Sequence, residues 1–298
     1  MDRFILLLFL LLQLVCLSRC LFIGRSVIRV RDGISIDLGE ALAQQRQQTC
    51  LLVLGTYAAD FNAIEYCQRL RHYLPSLKDK GVNKFSLILN ASPSACISLA
   101  KQLDIPTEVE IYSDSTGSVG KEYGVSLGWR PDDSEMSPYL KLFGMLLGLG
   151  AWATLPSVIS GYIGNPWQKQ PWIESSLAQG QAAGRWPNTA LELEPTTEQT
   201  GPGSSIKIKT NQFDTLPLGL GKWGRRPLEL ATLRLQNMIG VSLKDWSTLK
   251  PTDDELKAGI LTQLGGCMVL GPGDKVLYEW KDQGICHVAN FEDILKKL

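Results

Sequence analysis

Few residues in this chain have the type and spacing for covalent chemistry. Seven cysteines, Cys16, Cys20, Cys50, Cys67, Cys96, Cys267 and Cys286, are scattered through 298 residues. No CxxC pair and no Cys/His cluster at metal spacing occurs among them, which excludes a zinc site, and their odd number does not read as a disulfide framework. Cys286 is followed directly by His287. An imidazole beside a thiol favours the thiolate, so Cys286 is one candidate nucleophile. Cys67 is the other. His72 is the only other histidine and reads as a surface residue of a helix. No Ser/His/Asp set, GxGxxG or P-loop is present, and no metal or cofactor is implied.

Thirty basic and 30 acidic side chains cancel, so net charge draws no nucleic acid. The densest basic patch is Lys222, Arg225 and Arg226, ahead of a helix that the signals Pro227 and Gly240 bound at 227–239. Arginines there oppose the helix dipole. They require either internal acidic partners or a bound anion or protein.

The elements that position these residues centre on residues 49–80. The apolar run 50–54 predicts a buried strand. Ala63, Tyr66, Cys67, Leu70, Tyr73, Leu74 and Leu77 then recur at three and four, the stripe of a covering helix. Asn62 and Glu65 have the spacing of a capping box at its start. A second buried strand follows at 85–90, completing a βαβ unit of right-handed, parallel type. Beyond it lie a helix opened by Pro93, a strand at 108–112 and a short helix closed by Gly124. At the other end, a turn at Gly271-Pro272-Gly273-Asp274 joins two strands, and residues 290–298 form a closing helix.

Between these halves, Leu142 opens and Gln168 closes a run of 27 residues without a formal charge. Pro156 divides it into arms at 139–153 and 157–164. Each is near or below 23 Å at about 1.5 Å per residue, short of a hydrocarbon core of roughly 30 Å. The run reads as a helical hairpin buried in the protein, with a membrane surface or a hydrophobic protein partner as the alternative. Gly144 and Gly148 permit close helix contact. TALELE at 189–194 and IKIKT at 206–210 alternate with period two around a Gly/Pro-rich loop and predict a hairpin. Thr252 and Glu255 cap a helix through 260.

Residues 1–20 have the basic start and apolar core of a signal peptide. Residues 21–34 are basic and acid-poor up to Asp32 and resemble the transit part of a bipartite leader to a plastid of secondary origin; secretion to an endomembrane lumen is the alternative. The expected organisation is therefore a leader at 1–34, a domain split into 35–124 and 265–298, and an insertion at 125–264.

LLVLGTY, RHYLPSLKDKGV, SLILNASPSACISLAKQLDIPTEVEIYSD and QLGGCMVLGPGDKVLYEWKDQGICHVANFEDIL resemble the peroxiredoxin-like branch of the AhpC/TSA group. The insertion resembles that of uncharacterised cyanobacterial and algal proteins. The resemblance implies an α/β fold, a thioredoxin-like core (βαβ plus a C-terminal ββα) with a mainly helical insertion, and thiol-dependent antioxidant activity. It also places a cysteine in the loop or first turn after the central strand, where the positive helix end stabilises a thiolate. Those positions here are Ala58, Ala59, Asp60 and Phe61. Three readings follow: a peroxiredoxin-like reductase using a displaced thiol, Cys67 or Cys286; a non-catalytic scaffold holding a partner or membrane through the insertion; and a binder of apolar small molecules in a pocket of Trp152, Tyr162 and Trp167.

Overall fold

The computed structural model describes residues 22–159, 171–185, 191–194, 207–211 and 222–298, with the backbone alone given for 191–194, 207–211 and 222–232. The signal-peptide residues, Tyr162 and Trp167 of the suggested pocket, and the apolar run beyond residue 159 lie outside the described residues.

The central strand β3 (Thr49–Leu54) is followed by helix α2 (Phe61–Asp79), strand β4 (Val82–Leu89), helix α3 (Pro93–Gln102) and strand β5 (Val109–Ser113). β3, β4 and β5 are parallel. On the other side of β3 the antiparallel strands β8 (Gly266–Gly271) and β9 (Lys275–Lys281) complete the core, and α11 (Phe291–Lys297) closes the chain. The unbroken apolarity of β3 follows from its place. Leu51 and Val53 pack with α2, whereas Leu52 and Leu54 pack with Leu38, Val119 and Tyr123 on the opposite face. A strand covered on both faces has no polar side. The βαβ unit and C-terminal ββα make the expected thioredoxin-like core.

Seven strands form the sheet, in the order β2-β1-β5-β4-β3-β8-β9. The outer pair, β1 (Ser26–Arg29) and β2 (Ile34–Asp37), comes from residues that basic composition assigned in part to a leader. Ile28 pairs with Ser113 on the edge of β5, and Phe22 is fully buried. Edge pairing and one aromatic anchor recruit a segment whose composition gives little sign of a strand. α1 (Leu38–Ala43) and α4 (Ser118–Tyr123), the latter capped by Gly124 in the left-handed region at φ 78°, cover this face.

The long middle section adds α5 (Pro138–Leu146), α6 (Thr154–Val158), α7 (Pro171–Ala182), a hairpin of β6 (Leu191–Glu194) and β7 (Lys207–Asn211), α8 (Lys222–Lys244), α9 (Trp246–Leu249) and α10 (Asp253–Lys257). The β6–β7 register puts Glu194 opposite Lys207, and the Thr252–Glu255 capping box is formed. α7 and α8 pack over α2 and extend its core through Trp172, Leu177, Met238 and Val241.

Four local readings change. α2 starts at Phe61 with Asp60 as its N-cap residue; Asn62 and Glu65 are not a capping box but buried polar residues serving tertiary partners. α8 extends beyond both sequence signals, running from Lys222 to Lys244 with Pro227 and Gly240 inside it, and Gly240 lies in ordinary contact range of the Arg185 side chain. His72 is half-buried with its ring edge-on to Tyr73. Finally, the described part of the apolar run, 142–159, is buried on one side only. Tyr139, Leu140, Phe143, Leu146, Leu147 and Trp152 are 45–66% exposed, while Lys141, Gly144 and Met145 face inward. A Cβ at Gly144 would lie 2.3 Å from the Trp129 ring, so this narrow face is the one that packs. No helix among the described residues is long and apolar enough to cross a membrane.

Candidate functional site

The loop from β3 to α2 is the natural place for chemistry, because the helix N-terminus presents unpaired N–H groups there. Ala58 and Ala59 are buried, and Thr56 Oγ1 donates to Asp60 Oδ2 over 2.5 Å. Burial pushes the Asp60 carboxyl up to about 6 against the opposing effect of that bond. The loop is also covered: Ser242 of α8 donates its hydroxyl to Ala59 O at 2.8 Å, and Met238 and Val241 pack beside it. A helix from the middle section thus closes the surface from which a substrate would approach.

Beneath this loop lies a second constellation, built on the two residues that looked like a cap. Asp282, 1% exposed at the end of β9, accepts from Tyr66 Oη at 2.7 Å and Trp280 Nε1 at 3.1 Å on one oxygen. Its other oxygen accepts from Asn62 Nδ2 at 3.0 Å. Burial dominates and pushes this carboxyl up to about 7, although all three donors favour the ionised form. Asn62 is spent twice over, since its Oδ1 accepts the backbone N–H of Cys286 at 2.6 Å. The amide therefore links the buried carboxylate to the loop carrying the candidate thiol. From the other side, Thr154 Oγ1 accepts Ile285 N–H at 3.0 Å, and Gly284 is required because a Cβ would come within 2.3 Å of Thr154 N. Sequence inspection missed Asp282, which carries no motif; its one signal is an acid placed between apolar Trp280 and the turn that starts at Gly284.

Cys286 is partly buried and held at φ 64°, in the left-handed region. His287 does not complete a simple thiol–imidazolium pair: its Nδ1 accepts Gln283 N–H at 3.3 Å, its ring lies 4.8 Å from that of Trp280 at a tilt of 41°, and burial lowers its pKa. Cys67 sits on the buried face of α2, and desolvation raises its thiol to about 12. Cys50 is raised to about 11 for the same reason, and Cys96 and Cys267 are raised as well. These four are kept protonated. Lys222, Arg225 and Arg226 fall in the first turns of α8, with side chains outside the described residues. No group of three or more His, Cys, Asp or Glu among the described residues is placed to hold a metal.

The family described as AhpC/TSA antioxidant enzyme matches residues 69–284, about seven tenths of the chain. The chain belongs to this family. No curated protein matches it. The AhpC/TSA match runs through the section read from sequence as an insertion and begins at Arg69, so it omits the loop holding Ala58 to Phe61. This AhpC/TSA protein is a thioredoxin-fold member of a redox family. The residues at its β3–α2 loop are two alanines, an acid and a phenylalanine, and none of them can form a thiolate.

Proposed function

We propose that this AhpC/TSA protein has little peroxidase activity and acts as a scaffold docked on a lipid surface. The covering of the thiol-free loop by α8, through Ser242 and Ala59, carries the first half of this reading. Substrate access and nucleophile are both lacking where the family resemblance expects them. Cys286 carries the competing reading, because it alone among the described cysteines is partly accessible. Peroxide consumption with thioredoxin or glutathione as reductant separates the two. Turnover near background in wild type and in Cys286→Ser is the expected result; brisk turnover lost in Cys286→Ser moves the chemistry to that thiol and ends the scaffold reading.

The second half rests on the polarity of α5, which is reversed from that of a helix facing water. Its one charged residue, Lys141, points inward, and its outer face is Tyr139, Leu140, Phe143 and Leu146. Leu147, Leu149, Trp152, Leu155 and Ile159 continue the exposed apolar surface. An interface with lipid fits because the exposed residues named here are all apolar or aromatic. On flotation with neutral phosphatidylcholine vesicles the wild type should rise, and Phe143→Glu with Leu147→Glu should cut the bound fraction about tenfold or more, given ~1.5–3 kcal/mol per large apolar side chain buried. A wild type that stays in the dense fraction, or that binds a protein partner in preference to vesicles, removes the lipid reading. A plastid destination, inferred from residues 1–34, belongs to this same proposal.

A further inference from the structure

α5 has an inner face as unusual as its outer one. A cavity of about 690 Å³ opens between α5, the preceding segment and α10. That size lies within the roughly 300–1,000 Å³ of small-molecule sites. Leu127, Pro131, Met136, Leu256 and Leu261 supply apolar wall, and Lys141 enters it from α5. Lys141 is 8% exposed. Among the described residues its ammonium has a single long hydrogen bond, Nζ to Pro131 O at 3.4 Å, and no carboxylate within ion-pair distance.

An ammonium with three donors and one weak acceptor, set beside apolar side chains, is a cation that a bound anion would complete. The other ionic groups on the wall are engaged or exposed, Lys257 among them with its Nζ 3.4 Å from Asp254. Lys121 Nζ donates to Thr116 O and Ala258 O at 3.1 and 3.0 Å. Asp133 pairs with Arg130 at 2.8 Å and caps the N–H groups of Glu135 and Met136. Asp132 and Asp253 are exposed. With Asp132, Asp133 and Asp253 set against Lys121, Lys141 and Lys257, the wall has no net positive charge to hold a polyanion such as a nucleotide, whereas one buried ammonium against apolar side chains suits a single negative charge on a hydrocarbon body.

We infer that this cavity binds an amphipathic monocarboxylate, with the carboxylate on Lys141 Nζ and the chain along Leu127, Met136 and Leu261. The site is separate from the β3–α2 loop and requires no thiol. Its occupation also does not depend on lipid docking, because the ligand can be offered free in solution.

The test is calorimetric titration of the full chain with decanoate and, in parallel, decanol, both kept below aggregation and without vesicles. Wild type should bind decanoate at least about tenfold more tightly than decanol, the difference expected of a charge-assisted hydrogen bond. Lys141→Met, close in length and uncharged, should erase that preference while leaving decanol affinity within about twofold. Ala258→Trp, which fills the cavity from its wall, should abolish both and supplies the second variant if Lys141→Met fails to fold. Equal affinity of wild type for the two probes, no binding of either, a preference for decanoate that survives Lys141→Met, or binding of either probe that survives Ala258→Trp overturns the inference.

Discussion

Glu65→Ala is expected to destabilise the protein by ~3–5 kcal/mol, the cost of leaving buried cations without their counter-ion. Glu65 is 1% exposed on α2. One of its oxygens accepts Arg69 Nε at 2.9 Å and Nη2 at 2.6 Å, and the other pairs with Arg234 of α8. Both guanidiniums lie over the Trp172 ring, at 4.6 and 4.7 Å from its centroid. One carboxylate thus ties three helices together and neutralises part of a double positive charge. Its removal leaves two guanidiniums in a site that excludes water. The loss is read as a lower urea midpoint and as faster proteolysis within α8, which Arg234 no longer holds to α2. Lys78→Ala provides the contrast: its pair with Glu108, at 2.8 Å, joins two exposed side chains and should cost under ~1 kcal/mol. If Glu65→Ala costs no more than Lys78→Ala, the cluster does not hold α8 in place.

The second large effect is a pH dependence set by Asp282. Its carboxyl moves from 3.8 to about 7 on folding, mainly through burial. The folded state therefore binds more protons than the unfolded state between those values, and the contribution of Asp282 to stability falls as pH rises from about 4 to about 7. The loss is up to ~4 kcal/mol at most, at ~1.4 kcal/mol per pH unit. Asp60, raised to about 6, acts in the same direction, whereas His72, lowered to about 4, acts in the opposite one. The informative quantity is therefore the difference between wild type and Asp282→Asn, which removes one titration and leaves the others. Stability of the wild type relative to this variant should decline across pH 4–7 and level off above it. A flat difference would show that the three donors from Tyr66, Asn62 and Trp280 fully offset the burial of the charge. The consequence reaches beyond stability, because the same Asn62 amide holds the Cys286 backbone. Ionisation of Asp282 is thus coupled through one side chain to the geometry of the one partly accessible thiol among the described residues.

Sequence by itself determined the core of this protein, because its signals are local. The period changes from an unbroken apolar run at 50–54 to a helical stripe at Ala63 to Leu77 because β3 is covered on both faces and α2 on one. Ser92 and Pro93, Gly124, Thr252 and Glu255, and the turn at Gly271 to Asp274 each act within a few residues, and each marks a boundary found in the fold. The absence of a thiol at Ala58 to Phe61 was legible in the same way, once family resemblance gave those positions a meaning.

Only the tertiary structure decided what the polar and apolar exceptions are for. Asn62 and Glu65 have the spacing of a cap, and their partners Asp282, Cys286 and Arg234 lie about 170 to 220 residues away. No local pattern distinguishes a carboxylate that caps a helix from one that neutralises two buried arginines. The apolar run shows the same limit in reverse. Composition fixed that it avoids charge, but burial is a property of what packs against a face, and the described structure places Trp129 beside Gly144 and leaves Phe143 and Leu147 exposed. The direction of Lys141 follows from that choice of face. One charge in an otherwise apolar helix reads as the solvent side, yet here it points into a cavity, because the geometry of close packing at Gly144 sets the rotation of the helix.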